Sequence, residues 1–91
     1  MLKTIYKMSA SWCGPCRVYA PIFVEVSKMD EFKDIEFKEL DADDDEDLFE
    51  KYRVMSVPTT VFLDENGNVL NKVSGAMPKN TLVESIKKLM K

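Results

Sequence analysis

Strand-like and helix-like apolar patterns alternate along the whole chain, and this order restricts it to an α/β fold. Alternating or continuous apolar residues predict four strands, at residues 2–8, 35–40, 60–63 and 69–73. Helical spacing predicts three helices, from residue 13 to about residue 29, over residues 45–52, and from residue 78 or 79 onward. No repeat or linker interrupts the series, so residues 1–91 are expected to form one domain.

The order of these elements also determines their directions. A helix separates the first two predicted strands, which therefore run parallel, whereas the turn at Asn66-Gly67 makes the last two antiparallel. Right-handed crossovers then place helices on both faces of a four-stranded mixed sheet. The apolar stripes expected to face the core are Val18, Ile22, Val26 and Met29 in the first helix and Leu82, Ile86 and Leu89 in the last.

The only two cysteines, Cys13 and Cys16, are separated by two residues at the predicted start of the first helix. A disulfide between them closes a very small loop, so the chain-entropy model gives it only about 2 kcal/mol of stabilisation. Positions three apart on a helix have Cβ atoms roughly 5–6 Å apart. A disulfide needs roughly 3.5–4.5 Å, so a small adjustment makes or breaks the bond. The spacing therefore favours reversible redox chemistry.

A structural bridge and half of a zinc site are the alternatives for this pair. Structural zinc takes four ligands, and the chain has no His and no further Cys, so zinc would require carboxylates or a second molecule. The acidic segment 41–47 raises a calcium alternative, but it lacks the Gly expected at its sixth position and the Glu expected at its twelfth, where Tyr52 stands. We interpret it as a solvated loop before the second helix and expect no bound metal.

Charge and hydropathy argue against several kinds of partner. The net charge of −3 does not suggest binding to nucleic acid or to an anionic membrane, and no segment is apolar enough over a sufficient length to span a bilayer. Lys3 and Lys7 interrupt the apolar residues of the N-terminus, which indicates a strand rather than a signal peptide. The expected location is the cytoplasm, where close cysteine pairs are usually catalytic or metal-binding.

Three motifs together resemble the thioredoxin family. They are Trp12-Cys13-Gly14-Pro15-Cys16 after a strand, Val57-Pro58-Thr59 before another strand, and Gly75-Ala76 after the hairpin. The resemblance implies a thioredoxin-like fold with sheet order 2-1-3-4 and three flanking helices. The family's usual first strand and helix have no counterpart here, so the element order is that of a glutaredoxin.

The resemblance and the residues assign the same chemistry to the cysteines. The unpaired N–H groups and the positive end of the helix dipole at Cys13 favour its thiolate, which is the form that attacks a disulfide. Cys13 is therefore the expected nucleophile and Cys16 the resolving thiol. No bound cofactor is expected, because the Cys13–Cys16 disulfide is itself the redox-active group. The family implies that a thioredoxin reductase drawing on NADPH restores the dithiol.

In this family the proline that corresponds to Pro58 is cis and lies against the cysteines. The backbone of Val57 would then pair with an extended substrate segment. The residues expected to form the surrounding flat apolar surface are Trp12, Gly14, Pro15, Gly75 and Ala76. The alternative for Pro58 is an ordinary trans proline in a loop.

One position departs from the family pattern. Most thioredoxins carry a buried acid six residues before the first cysteine, and Lys7 stands there. The family's neighbouring lysine is assigned to Lys38, so two cations are expected near the cysteines. We expect Lys7 to reach solvent or to pair with Glu39 or Asp41, and to favour the Cys13 thiolate electrostatically.

These inferences lead to a monomeric reductase that acts on disulfide-containing proteins. A glutaredoxin-like protein that uses glutathione is one alternative, because the element order permits it. A thioredoxin-fold binding subunit of a larger enzyme is the other.

Overall fold

The computed structural model describes residues 1–91 and contains all seven predicted strands and helices. In chain order they are β1 (Leu2–Ser9), α1 (Gly14–Ser27), β2 (Glu36–Asp41), α2 (Glu46–Lys51), β3 (Thr59–Asp64), β4 (Val69–Ser74) and α3 (Lys79–Leu89). One element was not predicted, a short 3₁₀ turn at Asp30–Phe32 between α1 and β2.

The four strands form one sheet in the order β2-β1-β3-β4. Strand β1 runs parallel to β2 and antiparallel to β3, and β4 lies antiparallel to β3 at the far edge. The predicted mixed sheet and its order 2-1-3-4 are therefore confirmed. None of the helices has the length and apolar character needed to cross a membrane.

Each face of the sheet is covered by helices and forms its own apolar cluster. The larger cluster joins α1 and α3 to one face and includes Ile5, Tyr19, Phe62, Leu82 and Ile86. The smaller cluster, on the α2 side, contains Met8, Leu40, Tyr52, Val61 and Leu63. Strand β3 is buried from Thr59 through Leu63 because it is central and covered on both faces.

The buried face of α1 differs from the predicted one. Val18 was predicted to be buried but is 67% exposed. The residues of α1 that face the core are Cys16, Tyr19, Phe23 and Val26, with Ile22 and Met29 packed at the margin of the cluster. The stripe is rotated because Tyr19 and Phe23 bury more apolar area than Val18 and Ile22, which lie one position earlier. In α3, Leu82 and Ile86 are buried as predicted, and Leu89 packs against the same cluster.

The connection between β3 and β4 is a tight turn organised by Asp64. Its carboxylate accepts the backbone N–H groups of Asn66 at 2.9 Å and Asn68 at 2.8 Å. Gly67 has φ +83°, a left-handed conformation in which a Cβ is costly. The predicted turn at Asn66-Gly67 is therefore confirmed.

Candidate redox site

Cys13 is the N-cap residue of α1, at the end of the loop that follows β1. Its backbone is extended, and its Sγ accepts the backbone N–H of Cys16 at 3.2 Å. Pro15 lies in the first turn, where its missing N–H costs no helical hydrogen bond. The sulfur of Cys13 therefore lies at the positive end of the helix, as the sequence predicted.

Cys13 and Cys16 form a disulfide, with their Cα atoms 5.3 Å apart. Both residues are buried, at 5% and 3% exposure, and they pack with Ala10, Ala42 and Val57. No three Cys, Asp or Glu side chains lie close enough together to hold a metal ion. The two sulfurs thus have each other as partners and a small apolar shell around them.

The loop before β3 brings Pro58 to the cysteines. The Val57–Pro58 peptide bond is cis, as the family resemblance implied. The carbonyl oxygen of Val57 lies 3.7 Å from the Sγ of Cys13. The carbonyl oxygen of Pro58 accepts the N–H of Gly75 at 2.8 Å, and Gly75 has φ +94°. These contacts bring together the loops after β1, before β3 and after β4.

The surface beside Cys13 is apolar and open. Trp12 is 70% exposed, and Gly14, Pro15, Gly75 and Ala76 are exposed as well. A groove of about 360 Å³ runs from Trp12 toward α2 and is lined by Ala42, Phe49, Val54, Met55, Ser56 and Val57. The contribution of Val54 and Met55 was not predicted, although both lie within three residues of Val57 in the sequence. Met55, 94% exposed, is the most solvent-accessible of the large apolar residues.

Comparison with known proteins places this geometry in a family. A family model described as thioredoxin matches residues 3–88. The chain belongs to the thioredoxin family. It is 36% identical over 85 residues to a thioredoxin of Mycoplasmoides gallisepticum, an alignment that covers 93% of this chain and 82% of that protein.

Solved thioredoxin structures share the fold. The thioredoxin of Fasciola hepatica superposes with a TM-score of 0.82 at 35% identity, over 93% of this chain and 78% of that one. The thioredoxin of Malassezia sympodialis gives a TM-score of 0.84 at 27% identity, over 93% and 72% of the two chains. A family member with this cysteine pair is a dithiol–disulfide oxidoreductase, and the thioredoxin-like fold is confirmed.

Lys7, at the position of the family's usual buried acid, is itself buried. It is 1% exposed, and its ammonium donates to the Glu39 carboxylate and to the Ser9 Oγ, the latter at 2.6 Å. Of the two expected outcomes, pairing with an acid is the one observed, and the acid is Glu39. Lys7 and Glu39 are direct neighbours across the parallel β1–β2 pair.

Lys38 does not join this group. It lies opposite Tyr6 in the register, one position before Glu39, and its side chain is exposed. Because successive residues of a strand point to opposite faces, Lys38 is on the α2 side while Lys7 and Glu39 are on the α1 side. The expectation of two cations near the cysteines is therefore wrong. Of these two lysines, only Lys7 lines the groove beside Cys16, together with Glu39.

Tyr19 is a further titratable residue on the α1 side of the sheet. Its hydroxyl lies 2.8 Å from the Oγ1 of Thr60 in a buried contact. Burial raises the pKa of Tyr19, and the hydrogen bond with Thr60 offsets only part of the effect. Tyr19 is therefore a neutral phenol at physiological pH and adds no charge to the site.

Proposed function

We propose that this thioredoxin-family chain reduces disulfides in other proteins, with Cys13 as the attacking thiol and Cys16 as the resolving thiol. The observation that carries this assignment is the different surroundings of the two sulfurs. Cys13 caps the helix and contacts Val57, beside the groove that begins at Trp12. Cys16 lies one turn further along α1 and borders a separate groove on the Lys7 side.

The reaction is two successive thiol–disulfide exchanges. The Cys13 thiolate attacks one sulfur of the substrate disulfide, and the other sulfur leaves as a thiolate, which gives a mixed disulfide. The Cys16 thiolate then attacks the Sγ of Cys13 and releases the second substrate thiolate. The substrate gains two electrons, and the protein loses two as the Cys13–Cys16 disulfide forms.

The exposed apolar surface around Cys13 supports a polypeptide substrate. An extended segment would add to the backbone of Val57 as a short strand, in the manner of β-strand addition. Pro58 shapes this loop, since it is buried and its carbonyl oxygen accepts the N–H of Gly75. The residues proposed to contact the substrate are Trp12, Gly14, Pro15, Val57, Pro58, Gly75 and Ala76.

Turnover requires an external reductant, for which we propose a thioredoxin reductase linked to NADPH. The chain then serves as a monomeric electron carrier, without a bound cofactor, in redox homeostasis of the cytoplasm. The net charge of −3 supports protein partners over nucleic acid or membrane surfaces.

The deciding measurement is the equilibrium of the Cys13–Cys16 disulfide against glutathione buffers of known ratio, followed by thiol alkylation and mass spectrometry. A reductase should give a potential more negative than about −230 mV, below the glutaredoxin range. A value near about −120 mV, characteristic of a strong oxidant, would contradict the proposal. The Cys16→Ser variant is the matched control and should accumulate mixed disulfides on Cys13.

Coupled assays separate the two alternatives. With insulin as the substrate, turnover supported by NADPH and thioredoxin reductase, but not by glutathione and its reductase, supports the thioredoxin assignment over the glutaredoxin-like one. Replacing Cys13 and Cys16 by Ser should abolish the function. A binding subunit of a larger enzyme would retain its activity in that double variant.

A further inference from the structure

The second exchange step places a specific demand on Cys16, and this inference rests on the roles proposed above for the two cysteines. Cys16 must lose its proton before it can attack Cys13. The residue is 3% exposed, and burial disfavours a thiolate. Some feature of its surroundings must therefore offset the cost of forming that charge.

Cys16 shares a groove with the Lys7–Glu39 ion pair. This groove, of about 330 Å³, is lined by Lys7, Ser9, Cys16 and Glu39, together with Ala10, Ser11, Arg17, Ala20 and Asp41. Cys13 does not border it. Of the two sulfurs, it is therefore the resolving one that shares a groove with Lys7, and not Cys13 as the sequence led us to expect.

The pair is oriented with its positive end inside the protein. The Lys7 side chain is 1% exposed and that of Glu39 is 56% exposed. Because solvent screens the carboxylate more strongly than the buried ammonium, the two charges do not cancel at a buried sulfur. The net field on the inner side of the pair favours a negative charge.

The other charged groups facing the groove lie at its margin. Arg17 is exposed and donates to the carbonyl oxygen of Ser11 at 3.1 Å. The Asp41 carboxylate accepts the N–H of Asp43 at 2.9 Å in an exposed contact. Tyr19, on the same face of α1, is neutral. Lys7 is therefore the one buried charge on the α1 side of the sheet near Cys16.

We propose that Lys7 stabilises the Cys16 thiolate and so sets the rate of the resolving step. Glu39 is a positioning residue that keeps the Lys7 ammonium in its buried place. The Cys16 proton leaves to water at the mouth of the groove, and the thiolate formed displaces the substrate sulfur from Cys13. The released substrate thiolate takes its proton from solvent.

The two exchange steps can be timed separately with 5,5′-dithiobis(2-nitrobenzoate) in a stopped-flow instrument. Attack by Cys13 releases one thionitrobenzoate at a rate proportional to the reagent concentration. Attack by Cys16 on the mixed disulfide then releases the second thionitrobenzoate, at a rate that does not depend on the reagent concentration. Absence of the first release would refute the proposed role of Cys13, whereas only the pH profile of the second release tests Lys7.

The wild-type profile is the first test. The rate of the second release should reach its midpoint below pH 8.5, the ordinary value for a free thiol. A midpoint at or above this value would overturn the proposal without the need for any variant.

The variant Lys7→Met removes the charge and keeps an unbranched apolar side chain that is one atom shorter. We expect the midpoint of the second release to rise by about one pH unit, which slows it roughly tenfold below the midpoint. The first release should change less than about twofold. Lys38→Met removes a lysine from the opposite face as the matched control and should leave both phases unchanged.

Two further variants separate electrostatic stabilisation from proton transfer to a base. Glu39→Gln retains an oxygen acceptor for the Lys7 ammonium. The pH midpoint of its second release should therefore be equal to or lower than that of the wild type. The double variant Lys7→Met/Glu39→Gln removes both charges and should still show an upward shift, and it also serves if Lys7→Met alone does not fold. An unshifted profile in the double variant, or a slower second release in Glu39→Gln, would show that the ammonium is not the source of the effect.

Discussion

The contact between Tyr19 and Thr60 illustrates what one buried hydroxyl contributes to this fold. It joins α1 to the central strand β3 at 2.8 Å, and both residues are 0% exposed. A buried hydroxyl that loses its partner keeps the cost of its desolvation. This hydrogen bond therefore links α1 to β3, and replacing only one of its two members should lower the stability of the fold.

We expect Tyr19→Phe to lower the free energy of unfolding by about 1–2 kcal/mol, because it leaves the Thr60 hydroxyl buried without a partner. The measurement is urea denaturation at neutral pH. The double variant Tyr19→Phe/Thr60→Val removes both polar groups and should recover most of the loss. A double variant as unstable as the sum of the single changes would show that the hydrogen bond contributes nothing.

The individual residues also show which parts of the site could be predicted. Cys13, Cys16 and Pro58 were found because their motifs are local in sequence. The sequence predicted that Lys7 could pair with Glu39 or Asp41. Which of the two acids is the partner depends on the register of β1 against β2, and no local sequence pattern specifies that register. The error over Lys38 has the same origin, since a shift of one residue along a strand moves a side chain to the other face.

The turn between β3 and β4 shows how one short element depends on pH. Backbone N–H donation from Asn68 is the main cause that lowers the pKa of Asp64, with further donation from Asn66 and from the Asn68 side chain. A carboxylate whose pKa is lower in the folded state stabilises that state above its unfolded pKa and loses the effect as pH falls through the folded value. The turn should therefore weaken in acid.

We predict that Asp64→Asn is less stable than wild type at pH 7, and that this difference starts to shrink below about pH 4 and is lost only as pH falls through the lowered folded-state pKa of Asp64. Thermal unfolding followed by circular dichroism across this range tests it. Glu65→Gln is the matched control, because the pKa of Glu65 is lowered chiefly by the N-terminal ammonium of Met1. Added salt should reduce the loss of thermal stability caused by Glu65→Gln and leave the loss caused by Asp64→Asn unchanged. A pH-independent difference for Asp64→Asn would rule out this account.

Elements with a strong local pattern were predicted to within a few residues. The order and type of all seven strands and helices followed from apolar spacing and one Asn-Gly turn. The orientation of α1 about its own axis was not predicted correctly. Both Val18 with Ile22 and Tyr19 with Phe23 have helical spacing, so the sequence pattern does not show which of the two pairs faces the core. The 3₁₀ turn at Asp30–Phe32 was missed because three residues are too few to show a period.

The two edges of the sheet bear on the behaviour of the whole molecule in solution. Strands β2 and β4 each pair on one side only. Glu36 and Lys38 are exposed on β2, and Lys72 is exposed on β4. Charged side chains on an open edge oppose pairing with a second chain, because association would bury or crowd them.

We therefore expect a single species of 10.5 kDa in sedimentation equilibrium across micromolar to millimolar concentrations. Replacing both Glu36 and Lys38 by Val should introduce association that increases with concentration, since the edge then presents apolar β-formers. A wild-type dimer, or a Val variant that stays monomeric, would contradict this view of the edge.

The unequal burial of Lys7 and Glu39 also limits the order in which sequence change can occur. Loss of Lys7 leaves a carboxylate that solvent can hydrate, whereas loss of Glu39 to an apolar residue leaves a buried ammonium with only Ser9, at a cost of about 3–5 kcal/mol. We therefore expect Lys7 to arise only in chains that already carry an acid at position 39. Natural variants should therefore include chains with Glu39 and no Lys7, and few with the reverse combination.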